Sequence, residues 1–192
     1  MRYQPEHKAE THRKIVKDAS RRVRSEGIAG AAVSAVMRDA GLTHGGFYKH
    51  FGSKDDLHME ALSDAFRETA DRLTQAAEKS SRPQAAWKEI VRAYLNPEHC
   101  DHVESGCPVA ALAPELARVD KSTKPRIAAE IAQYRNRMLP FMPGRRTADK
   151  ESAFFSIFST MIGAMEIARM IPIPAARDKV LATARNFLLR SF

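Results

Sequence analysis

The chain has 192 residues and a mass of 21.4 kDa, enough for one compact unit or two small ones sharing a helix. Hydrophobic residues make up 44% and charged residues 28%, which excludes wholesale disorder, a collagen-like fibre and a coiled-coil rod. A formal charge of +8 and a pI near 9.7 favour a polyanionic partner without specifying a fold.

The charge is concentrated. Residues 1–50 hold ten Lys/Arg against five Asp/Glu, +5 of the +8. Such clustering suits a nucleic-acid footprint, although a solvated helix face has the same composition. Two cysteines cannot make a disulfide framework, and a reduced cytoplasm is their natural setting. Residues 1–13 are polar and lack the apolar stretch of a signal peptide. The longest apolar run, 153–165, contains Ser156, Ser159 and Thr160 and is closed by Glu166 and Arg169, short of the ~20 residues of a bilayer span. A soluble cytoplasmic protein with no membrane partner is expected.

In chain order, Ile15, Val16, Ala19 and Val23 recur at helical spacing within 8–26, with Gly27 as a C-terminal cap. A short helix fits 33–40, stopped by Gly41. Thr43 is placed to cap a second short helix, 44–51. Gly52 breaks that segment, and Ser53 caps a long helix to about residue 79, with Asp56 at the capping-box position. Its apolar stripe is Leu57, Ala61, Leu62, Ala65, Phe66 and Leu73. Further helices are expected at 83–95, 108–119, 123–141, 146–170 and 174–190, and 96–108 reads as a loop. No segment alternates with period two, and no repeat of 20–50 residues is visible. The expected fold is all-α.

The sharpest local pattern lies in residues 33–57. Two short helices joined by Gly41-Leu42-Thr43 make a helix-turn-helix, whose second helix enters the major groove of DNA with its N-terminal residues at the base edges. Here that helix opens His44-Gly45-Gly46. Each glycine costs ~1 kcal/mol relative to Ala in a helix, but removes a side chain where two surfaces must approach closely. His44 and Lys49 have the chemistry to read base edges; Thr43, Tyr48 and Lys54 suit phosphate oxygens. Phe47 and Phe51 should face inward, against Ile15, Ala19 and Val36.

Val33-Ser34-Ala35-Val36, the run from Ala40 through Thr43-His44-Gly45-Gly46-Phe47-Tyr48-Lys49-His50-Phe51, and Ser53-Lys54-Asp55-Asp56-Leu57 together resemble the DNA-binding region of the TetR family of bacterial transcriptional regulators. The resemblance covers about 50 residues. It implies Thr43, Tyr48, His50 and Lys54 as phosphate contacts, with His44, Gly45, Gly46 and Lys49 nearest the bases. It also implies a helix-turn-helix domain at 1–53 and a helical effector-binding and dimerisation domain at 54–192, working as a homodimer on a double-stranded operator. Two positions depart from the family pattern. Ala32 stands where a Thr or Ser usually caps the second helix, and Met37 replaces a small residue.

The later segments need partners. Phe154, Phe155, Ile157, Phe158, Met161, Ile162, Met165 and Ile167 are apolar on more than one helix face, and Val180, Leu181, Ala184, Phe187 and Leu188 belong to the last helix. Two helices from each subunit would form a four-helix interface. Trp87, Tyr94, Tyr134, Met138, Phe141, Phe154, Phe158 and Met161 are the candidate ligand-binding residues; aromatic and Met residues at helical spacing are more often plain core than a ligand cage.

The 96–108 segment holds Cys100, Cys107, His99 and His102, and three readings of it compete. The ligand types suit zinc, yet the spacing matches no common motif and no metal is assigned. Thiol sensing is the second: Pro108 at the first helical position makes Cys107 the N-cap, where the dipole would depress its pKa, with Cys100 as resolving partner. Gly106-Cys107-Pro108 also resembles a subgroup of TetR-type repressors, some of which respond to electrophiles or oxidants. A plain capping cysteine is the third. No His-Glu-x-x-His helix, Gly-x-Ser-x-Gly elbow or glycine-rich phosphate loop is present, so neither an enzyme nor a cofactor is expected. The reading is a transcriptional repressor released from its operator by a small molecule or by cysteine modification.

Overall fold

The computed structural model describes residues 5–192. Residues 1–4, the start of the polar N-terminal stretch with Arg2 of the basic count, lie outside the described residues. The described residues form α1 (Pro5–Gly30), α2 (Val33–Asp39), a 3-10 helix (His44–Lys49), α3 (Lys54–Glu78), α4 (Ala86–Tyr94), α5 (Pro97–Asp101), α6 (Pro108–Arg118), α7 (Lys124–Met138), α8 (Thr147–Arg169) and α9 (Pro174–Ser191). No strand occurs among them, and no helix among them is long and apolar enough to cross a membrane. The fold is all-α.

The helices form where one face is apolar. Leu57, Ala61, Leu62, Ala65, Phe66 and Leu73 of α3 are all buried, and α3 packs against α1, α4, α7 and α6. Ser53 caps α3 as its sequence predicts: its Oγ accepts the Asp56 N–H at 3.1 Å and donates to Asp56 Oδ2 at 2.8 Å. A cap of this kind is worth ~1 kcal/mol.

Gly27 does more than end a helix. At φ +76° and ψ 174° it kinks α1, which frees the Ile28 N–H to donate to Glu115 Oε2 of α6 at 2.9 Å. Arg24, buried on α1, donates to Glu68 Oε2 of α3 at 2.7 Å and to Gly106 O at 3.1 Å. Sequence reading assigned no role to Arg24 or Glu115, because their partners lie 82 and 87 residues away.

Three local expectations are corrected. The 44–51 segment is a 3-10 helix ending at Lys49, since Gly45 and Gly46 weaken helical propagation. Thr43 precedes it but makes no side-chain cap. The 96–108 loop contains α5 and a 3-10 turn, Val103–Ser105. Asn96 caps α5 by accepting the His99 N–H at 2.9 Å, and Pro97 occupies its first turn.

Candidate nucleic-acid interface

Chain geometry builds the site before any side chain enters it. Gly41, at φ +77°, ends α2: Leu42 N–H reaches Met37 O at 2.8 Å and Gly41 N–H reaches Arg38 O at 2.9 Å. This is a Schellman stop, and only glycine enters its left-handed position cheaply. Lys14 Nζ donates to Ala40 O at 2.9 Å, while Arg22 bonds Gly30 O, Glu26 and Asp39. The turn is thereby bolted to α1. Beneath it Phe47 and Phe51 are buried and stacked at 5.4 Å, and His12 stacks on Phe51 at 4.6 Å.

The departures in α2 have visible consequences. Ala32 supplies no side-chain cap, so only its carbonyl serves the first turn, accepting from Ala35 and Val36. Met37 is fully buried, and its Cε lies 3.5 Å from where a Cβ on Gly46 would stand. The longer side chain supports the 3-10 helix from below.

Of the eight positions singled out, Thr43, His44, Gly45, Tyr48, Lys49 and Lys54 are exposed, and Gly46 and His50 are half-buried. Tyr48 is 71% exposed, far more than a tyrosine needed for the core. Gly45 is informative by what is missing. Its φ is not positive, and a Cβ there would meet nothing within 4 Å. Nothing inside the protein requires a glycine at that position. His50 is the exception to the charged face: burial, then the neighbouring His12, Lys8 and Lys49, push its pKa below the ordinary value. Its Nδ1 is buried with no partner within the protein.

The candidate ligand residues occupy the body. Trp87, Tyr94, Tyr134, Met138, Phe154, Phe158 and Met161 are buried, and Phe141 is half-buried. Tyr134 meets Phe158 edge-on at 5.2 Å, and Phe154 lies 4.5 Å from Phe158. The Tyr134 hydroxyl is buried without a hydrogen-bond partner, and the buried Tyr94 hydroxyl lies against the Cys107 thiol. Tyr134 also lines an open groove with Phe66, Glu130 and Arg137.

Both cysteines are buried. Cys107 is the N-cap residue of α6 with Pro108 behind it, but its thiol caps nothing. Its N–H donates to His99 Nε2 at 3.0 Å, so the ring proton sits on Nδ1 and is given to Tyr94 O at 2.7 Å. Both His99 nitrogens are committed, and burial pushes its pKa down to about 3. Among the described residues no three His, Cys, Asp or Glu side chains converge as a metal site. Burial also raises the Cys100 thiol.

An exposed turn, held on a head of α1, α2 and the 3-10 helix beside a larger helical body, is a helix-turn-helix arrangement. Residues 15–61 match the family described as bacterial regulatory proteins, tetR family. Over that stretch, which holds the helix-turn-helix, the chain is similar to that family. It is 36% identical over 69 residues to the HTH-type transcriptional regulator TtgR of Pseudomonas putida, and equally to the probable HTH-type transcriptional regulator ArpR of the same species. Those matches span 36% of this chain and 32% of each relative, so the chain covers about a third of the length of the curated relatives it matches. The fold extends further. A TetR-family regulator from Cytophaga hutchinsonii superposes with a TM-score of 0.76 at 17% identity over 97% of both chains. One from Chloroflexus aurantiacus gives 0.72 at 21% identity, over 95% of this chain and 94% of that one.

Proposed function

We propose that the protein is a sequence-specific DNA-binding repressor that acts as a homodimer and leaves its operator when an effector reaches the body. The observation that carries this reading is the exposed His44–Lys49 turn. Gly45 leaves its surface free of a side chain where only an external partner benefits, and Tyr48, Lys49 and Lys54 are exposed donors. His44, Gly45, Gly46 and Lys49 lie nearest the bases; Thr43, Tyr48, His50 and Lys54 take phosphate oxygens, His50 as a neutral donor.

The dimer reading is supported by Phe155 and Ile167 of α8 and Phe187 of α9, half or more exposed on helices that pack together. Two readers related by a two-fold axis meet half-sites about one helical turn apart.

Release is assigned to the aromatic cluster. The unpartnered Tyr134 hydroxyl would be satisfied by an acceptor on a bound small molecule. Cysteine modification is a second route, favoured by one connection: Gly106 O, next to Cys107, accepts from Arg24 of α1 and Thr69 of α3. An adduct at Cys107 would push directly on the head.

Selection from random duplexes tests the function. Wild type should enrich a two-fold symmetric site, and Lys49→Ala should blur its base preference. Failure to enrich any site contradicts the reading. Equal release by oxidant in wild type and Cys107→Ser removes the cysteine route alone.

A further inference from the structure

Between the head and the body lies a cavity of about 160 Å³. Its walls are Val23 and Ile28 of α1, Met59 and Leu62 of α3, and Leu112 and Leu116 of α6. That volume is close to the ~150 Å³ apolar cavity that admits benzene in another protein. It is separate from the aromatic cluster, none of whose eight residues lines it.

Its polar groups narrow the chemistry. His58 lines the cavity and donates Nε2–H to Ala31 O at 3.1 Å, which leaves Nδ1 as a bare acceptor. Burial holds the His58 pKa below its ordinary value, so the ring stays neutral and the lone pair stays available. Its other polar groups are the exposed carboxylates of Asp55 and Asp120 and the Thr123 hydroxyl, which donates to Asp120, and no Lys or Arg belongs to the lining. An anionic guest would be repelled.

We infer that this cavity binds an uncharged single-ring aromatic carrying a hydrogen-bond donor, of the phenol class, and that its occupancy weakens DNA binding. The second half rests on the operator-binding function proposed above. Coupling follows from position. Leu112 and Leu116 flank Glu115, whose carboxylate holds the Ile28 N–H of the head, and Ile28 itself lines the cavity. A guest that presses α6 away from α1 strains that bond. By linkage, the loss in operator affinity equals the loss in guest affinity on DNA.

Calorimetry on the full chain with phenol, toluene and benzoate tests the site. Phenol should bind saturably at one per chain, toluene about tenfold more weakly for want of one hydrogen bond, and benzoate not at all. Val119→Trp, at the half-buried end of α6, should abolish phenol binding; Leu116→Phe, one turn earlier on the same wall, fills the cavity if that variant misfolds. His58→Ala should bring phenol down to the toluene level. No saturable phenol binding, binding that survives both filling variants, or benzoate binding equal to phenol overturns the site. Saturating phenol should then weaken a selected operator severalfold, and unchanged affinity overturns the coupling. If the apoprotein prefers no duplex, the operator reading fails and takes the coupling with it, while calorimetry still decides the site.

Discussion

Gly27 concentrates the residue-scale argument. Its φ +76° and ψ 174° lie in a region open essentially to glycine, and a Cβ there would stand 2.7 Å from Glu115 Oε1. Gly27→Ala should therefore cost about 1–3 kcal/mol in denaturant unfolding, and adding Glu115→Ala should recover only the contact part. His99 makes a pH prediction. It is neutral when folded, with a pKa of about 3, whereas the unfolded chain takes up that proton below pH ~6.5. Between those values the unfolded state binds more protons, so stability falls as pH drops from 6.5 towards 3 and is flat for this group above 6.5. Thermal melts should show that slope, and His99→Gln should flatten it. A native melt independent of pH from 6.5 to 4 would contradict the assignment. The Ser53 cap was legible because its one partner, Asp56, lies three residues on. Arg24 was not, since nothing near it in sequence announces Glu68 or Gly106.

At the scale of elements, long stripes were legible and short connections were not. A helix such as α3 is specified by a local period that any reader of the chain can see. The 96–108 segment is different, because its shape depends on Arg169 of α8, which donates to His99 O at 3.0 Å and to Cys100 O at 3.4 Å. In the sequence Arg169 is only a charge that closes an apolar run. The 3-10 geometry of His44–Lys49 was half legible: the glycines announced a weak helix without announcing its pitch. Gly45 was the better signal, since its missing side chain points outward. The uncapped start of α2 gives a test. Ala32→Ser places an oxygen where the first turn lacks one, and it should add about 0.5–1 kcal/mol of stability. Unchanged unfolding free energy would mean that neighbouring packing already holds that turn.

At the scale of the whole molecule, α8 buries one face with Phe154, Ile157, Phe158, Met161 and Met165 and leaves Phe155 and Ile167 exposed. The two-faced apolar pattern read from the sequence therefore corresponds to one packed face and one bare one. Phe187 is 60% exposed, so Phe187→Glu should leave the chain folded and raise the dimer dissociation constant about tenfold or more, as sedimentation would measure; Ile162→Glu should act alongside it. A wild-type monomer at micromolar concentration that still holds DNA tightly would exclude the dimer. The head carries most of the excess positive charge, and its partner should be read in salt. The most direct test is the affinity of the purified protein for selected and random duplexes across a salt series. The account predicts preference for the selected duplex at physiological salt, a steep fall of log affinity with log salt from several phosphate contacts per subunit, and a flatter slope for Lys54→Ala. Equal binding of both duplexes with no salt dependence would contradict it.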